Sequence, residues 1–176
     1  MKRSILAFIV AGSILTGCAA VQSVVRSTFP YTATLLVPRS SATNSTLSAT
    51  SQASSLDQIF TGQGSNTDAV KDIRIASAKI EATSPSSQNM GAFKSIRIYL
   101  SRGDSSSEIM VASRNDIGAN VGSSIMLDID NSRLLDDYIK GSTVRVRMEY
   151  VLRDALSVDL SLRASLGFSV APKTVN

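Results

Sequence analysis

The residues able to do covalent or acid–base chemistry are few in this 176-residue chain, and their types narrow the options at once. There is no histidine, which removes Ser-His-Asp triads, Cys-His dyads and most zinc and non-haem iron sites. Lysines 71, 79, 94, 140 and 173 have no serine three residues before them, so the Ser-x-x-Lys acyl-enzyme pattern is missing. Glu81, Glu108 and Glu149 stand beside scattered aspartates, but a carboxylate pair for glycoside hydrolysis has no local signature, and no tryptophan is present to line a sugar subsite. Asp128, Asp130, Asp136 and Asp137, with Asn131 nearby, offer oxygen ligands to calcium. Their spacing lacks the EF-hand glycine and terminal glutamate, and Asp128 and Asp130 equally suit the wet face of a strand, so no metal site is expected. Arg102-Gly103-Asp104 matches an integrin-binding tripeptide but reads as a polar turn built around glycine. Arg145, Arg147, Arg153 and Arg163 suggest a basic stripe for an anionic envelope ligand. Glu149 and Asp159 fall on the same face and neutralise it. What remains is one nucleophile, the thiol of Cys18, the only cysteine.

The context of Cys18 is the most specific signal in the chain. Met1-Lys2-Arg3 is a basic start, Ile5 to Leu15 is apolar apart from Gly12 and Ser13, and Leu15-Thr16-Gly17-Cys18 closes the segment with small residues. That order matches a secretory signal peptide, and the apolar stretch is shorter than the roughly 20 residues needed to cross a bilayer as a helix. Leu-Thr-Gly-Cys also resembles the lipobox of bacterial lipoproteins. The resemblance covers residues 1–18 and implies cleavage between Gly17 and Cys18, a diacylglyceryl thioether on Cys18 and a further acyl chain on the new amine. Acyl chains contribute about 0.8 kcal/mol per buried methylene, so two or three hold a small domain on a membrane. Ala19 follows in place of a retention aspartate, which by the same resemblance implies the outer membrane of a two-membrane cell envelope. With one cysteine, no disulfide forms within the chain, and stability must come from packing. Loss of Lys2 and Arg3 with the leader reduces the formal charge from +4 to +2, too little to imply nucleic acid as a partner.

Beyond residues 18–28, a short spacer, the chain reads as one β-sandwich domain over 29–171 with a tail at 172–176. Val144, Val146, Met148, Tyr150 and Leu152 alternate with Arg145, Arg147, Glu149, Val151 and Arg153. The alternation resumes from Val158 to Val170 after a break at 154–157. Period-two patterning gives each run one apolar and one wet face. Pairing the two runs as a hairpin, with Glu149 beside Arg163 and Arg153 beside Asp159, is the register that best separates like charges. Tyr31 to Val37, bracketed by Pro30 and Pro38, reads as an edge strand. Residues 39–55, rich in Ser, Thr and Ala, read as an exposed loop with a weak strand near Thr46 to Thr50; a recognition loop is the functional alternative. A helical turn is expected from Ser55 to Phe60, and a turn at 62–66. Val70 to Thr83 is one long strand whose apolar phase changes near Ala76-Ser77, the mark of a bulge. Further strands are expected at Phe93–Ser101, Glu108–Ser113 and Ile125–Ile129, then a short helix burying Leu134, Leu135, Tyr138 and Ile139 and stopped at Gly141.

Seven or eight strands with one or two short helices predict an all-β, antiparallel β-sandwich. In pattern alone this resembles uncharacterised β-sandwich lipoproteins of bacterial envelopes, and a shared fold carries no function with it. The expectation is a lipid-anchored, non-catalytic protein without cofactors, a binding or structural accessory whose partner is an envelope protein or glycan. An adhesin or glycan-binding module is the alternative, with Tyr31 or Tyr99 displayed for sugar stacking. A lipid carrier or a hydrolase is a more distant option.

Overall fold

In the computed structural model, residues 28–52, 54–55, 70–102, 107–139 and 143–172 are described. They form ten strands: β1 (Thr28–Val37), β2 (Thr46–Thr50), β3 (Ser54–Ser55), β4 (Val70–Ser84), β5 (Phe93–Arg102), β6 (Glu108–Arg114), β7 (Ser124–Met126), β8 (Asp128–Ile129), β9 (Thr143–Leu152) and β10 (Leu160–Pro172). A four-residue helix, α1 (Asp136–Ile139), and a 3-10 turn at Met90–Ala92 complete them. The strands pair antiparallel in two sheets, β1-β10-β4-β7 and β2-β9-β5-β6-β8, with β3 also beside β9. Their inner faces close on a single core of aliphatic residues plus Phe93, Phe168, Tyr31 and Tyr150. The Phe93 and Tyr150 rings meet edge to face at 5.8 Å. The fold is the expected β-sandwich.

The strand count exceeds the expected seven or eight because two strands are interrupted. β2 and β3 lie along one side of β9, separated where Ser51 substitutes side chain for backbone. Its N–H donates to the Val146 carbonyl at 2.8 Å and its Oγ accepts from the Val146 N–H at 3.0 Å. The Ser51 hydroxyl thus supplies the acceptor that a backbone carbonyl would give in an unbroken ladder. The run Ile125–Ile129, expected as one strand, divides at Leu127: β7 pairs with β4 in one sheet and β8 with β6 in the other.

The largest correction concerns the two longest alternating runs. They do not form a hairpin: β9 lies between β2 and β5 in one sheet, β10 between β1 and β4 in the other, and residues 153–159 cross between them. Their apolar faces meet through the core, so each stripe is buried against the opposite sheet. Val158, expected inward, is 47% exposed on the crossing, while Leu156 is buried. The cross-strand charge rule still operates, with other partners. Glu149 lies opposite Arg97 on β5, and Arg163 opposite Glu81 on β4.

The phase change in β4 is a bulge where expected: Gly167 pairs with Ser77 and Phe168 with Ile75, leaving Ala76 unopposed. A second irregularity lies near Asp72, whose φ is +56°. There the Ile73 N–H turns to the Asp136 carboxylate at 2.9 Å, and the Ile73 carbonyl accepts from the Leu135 N–H at 2.8 Å. This fastens α1 to β4. Leu135 and Ile139 are buried as expected and Tyr138 partly so, but Leu134 is 49% exposed. Ser54 and Ser55, expected to cap a helical turn, are in β3; the rest of that turn and the turn at 62–66 lie outside the described residues.

Candidate functional site

Strand direction sorts the loops by end. Val37, Ser84, Arg114 and Leu152 close their strands at one end of the sandwich, so the connections 38–45, 85–92, 115–123 and 153–159 gather there. Thr28, where the chain enters from the spacer, lies at the opposite end beside Ser169.

The loop-bearing end is tied together by backbone and side chains. Asn89 Oδ1 accepts from the Gly91 N–H at 3.0 Å and the Val121 N–H at 3.3 Å, while its Nδ2 donates to the Ala119 carbonyl at 2.7 Å. Arg153 Nη1 and Nη2 donate to the carbonyls of Gly91 and Ile117, both at 2.5 Å. Residues 38–45 are held as firmly. The Arg39 N–H donates to Asp159 Oδ1 at 2.8 Å, and the Asn44 N–H to the Leu152 carbonyl at 2.9 Å. Ser41 Oγ and Tyr150 Oη share a hydrogen bond at 3.0 Å, and Lys94 Nζ donates to Asn44 Oδ1.

Between this β1–β2 connection and strands β2 and β9 lies an open recess of about 680 Å³. Its wall carries the hydroxyls of Ser40, Ser41, Thr46 and Ser48 together with Arg147 and Glu149. Ser48 lies directly across from Glu149, and Glu149 across from Arg97, so one row of the outer face runs from the recess onto β5. Arg147 donates through Nε and Nη2 to both oxygens of Glu108, at 2.9 and 2.6 Å, and approaches Glu149 at 3.5 Å. Its guanidinium lies 4.2 Å from the centre of the Tyr99 ring. The hydrogen bonds it donates to Glu108 outweigh burial and push the Arg147 pKa above its ordinary value. Glu149 is further held by Arg97 at 2.8 Å.

Of the residues singled out by type and spacing, Arg147 and Glu149 line this recess and Glu108 pairs with Arg147. Gly17 and Cys18 lie outside the described residues, as does Arg102-Gly103-Asp104 beyond its arginine. Three of the four calcium candidates are individually engaged. Asp128 lies 3.6 Å from Arg114, and Asp130 accepts from the Ser132 hydroxyl and N–H and faces Arg133 at 3.5 Å. Hydrogen bonds from Ser132 lower the Asp130 pKa. Asp136 anchors Ile73 and Asp137 is exposed. No group of three or more potential metal-ligating side chains occurs among the described residues. The basic stripe is dispersed: Arg145 and Arg147 are on one sheet, Arg163 is on the other, and Arg153 is turned into the loop clasp. The row Arg97–Glu149–Arg147–Glu108 was hidden because its members come from three strands whose order is not a local property. Its one sequence trace is the odd-numbered polar residues on the wet faces of β5 and β9.

The chain matches no family model and no curated protein. Among the described residues no helix is long and apolar enough to cross a membrane.

Proposed function

We propose that this protein is a lipid-anchored, non-catalytic β-sandwich of the bacterial cell envelope, held on the outer membrane through acyl chains on Cys18 and acting as a binding or structural accessory. The observation that carries the reading is the ordered basic, apolar and Leu-Thr-Gly-Cys segment ending ten residues before β1. A ten-residue spacer reaches about 35 Å at most, so the domain stays close to the bilayer. The chain enters at one end of the sandwich, and the tied loops occupy the other. The lack of histidine and the single cysteine support a role in binding over catalysis.

The second reading, a glycan-binding module, is favoured by the hydroxyl-rich recess and not by displayed aromatic rings. Tyr31 and Tyr150 are buried, and the Arg147 guanidinium covers a face of Tyr99. The recess is open and mixes Pro38, Ala42, Leu47 and Tyr150 with hydroxyls and charges, unlike the enclosed apolar cavity that a lipid carrier needs.

Replacing Cys18 tests the anchoring. The Cys18→Ser chain is expected to lose acyl labelling and to accumulate as unprocessed precursor. Processing with undiminished membrane retention would contradict the proposal.

A further inference from the structure

We infer that the recess beside the β1–β2 connection is a binding site for an uncharged, polyhydroxylated ligand, a neutral oligosaccharide. This deepens the binding role proposed above by naming the ligand class. Size comes first: about 680 Å³ falls within the range of small-molecule clefts. Charge comes second. Arg147 is shared between Glu108 and Glu149, and Glu149 between Arg97 and Arg147, so the wall presents charged groups already compensated by one another. An anionic ligand on Arg147 would meet the Glu149 carboxylate beside it, and a cationic one on Glu149 would meet the Arg147 guanidinium. A neutral ligand displaces neither pair.

The surviving chemistry is that of hydroxyl recognition. Carboxylate oxygens have lone pairs for additional donors, a guanidinium has five N–H groups, and each Ser or Thr hydroxyl both donates and accepts. Adjacent hydroxyls of a sugar do the same, and can bridge a guanidinium and a carboxylate held side by side. An apolar ligand would strip water from Ser40, Ser41, Thr46 and Ser48 without replacing its hydrogen bonds. The site is also set before binding. Arg147 is fixed by a bidentate carboxylate and an aromatic ring, and Ser41 by Tyr150. Little side-chain freedom is left to lose when a ligand arrives. Because β1 enters from the far end, the recess opens among the loops remote from the anchor.

The test is an amide NMR titration of the detergent-extracted full chain with maltotriose, cellotriose and N-acetylated chitotriose, with trigalacturonate as the charged comparator. At least one neutral trisaccharide is expected to give saturable shifts confined to Ser40, Ser41, Ser48, Arg147 and Glu149. Ser48→Tyr places a bulky group in the recess from an exposed edge strand that tolerates tyrosine. It is expected to weaken that binding by roughly tenfold or more with unfolding unchanged. Saturable binding of trigalacturonate alone, no response to any neutral trisaccharide, or unaltered binding by the Ser48→Tyr chain would overturn the inference. Acyl labelling reads the anchor and these shifts read the recess, so either can fail without the other.

Discussion

At Gly91 the chain allows no side chain. A Cβ built there would lie 1.9 Å from the Ala119 carbonyl oxygen, a backbone atom that cannot swing aside. Gly91→Ala must therefore push apart the 3-10 turn and the 117–122 loop, and overpacking of this kind costs about 1–3 kcal/mol or more. A lower urea midpoint with unchanged slope is the expected result, and an unchanged midpoint would show that the two loops are not in contact. Arg153 reaches the same place from the end of β9. Arg153→Met keeps the aliphatic stem but strips the carbonyls of Gly91 and Ile117 of charged donors. The expected loss is about 2–4 kcal/mol, the sum of two charge-assisted bonds less rehydration, read from the same denaturation curve. Arg153 was legible from sequence only as a wet-face cation; its partners are backbone carbonyls, which have no sequence signature.

At the scale of elements, alternation located strands reliably and pairing poorly. Tyr31, Ala33, Leu35 and Val37 are buried as their period requires, and β1 is an edge strand as its flanking prolines suggest. The bulge at Ala76 was legible because a bulge shifts apolar phase within one strand. The partner of β9 was not legible, because a strand with one apolar face is equally satisfied beside a sequence neighbour or across the core from it. The charges of β9 and β10 do complement one another, but Arg97 on β5 and Glu81 on β4 complement them equally well and are the partners the fold uses. The bulge gives a sharp prediction. Deleting Ala76 removes the unopposed residue and leaves Ile75 opposite Phe168 and Ser77 opposite Gly167 in strict alternation, so Ile73 and Ile75 keep their core face. A folded chain with the native strand signal is expected by circular dichroism for the deletion, as for Ala76→Ser at an exposed position, and loss of that signal on deletion would contradict the register. Ser51→Ala tests the gap between β2 and β3. It leaves the buried Val146 N–H without its acceptor, at about 1–3 kcal/mol, visible as a lower melting temperature.

For the molecule as a whole, the charged outer faces set the response to acid. Glu81 is held below its ordinary pKa of 4.5, first by the hydrogen bond from Lys79 and then by that from Arg163. A depressed folded pKa means that the unfolded chain takes up the proton first. The contribution of Glu81 is therefore full above 4.5 and is lost as pH falls through the folded value. The stability difference between the native chain and Glu81→Gln is expected to be small, because the group is exposed, and to close as pH falls below 4.5. A difference that widens in acid would reverse the assignment. The candidate site was the least legible part of the molecule. Its hydroxyls come from a Ser/Thr-rich stretch that reads as a loop, and it acquires a wall only when β2 settles beside β9 and brings Ser48 to Glu149. The proposed anchor stands at the other extreme, since its signal is contiguous in sequence and needs no fold to be read. Intact mass spectrometry of the native protein extracted from envelopes tests it most directly. The account predicts a chain that begins at Cys18 and carries a diacylglyceryl thioether with an N-acyl group. A chain that retains Met1, or one that begins elsewhere with Cys18 removed or unmodified, would contradict it.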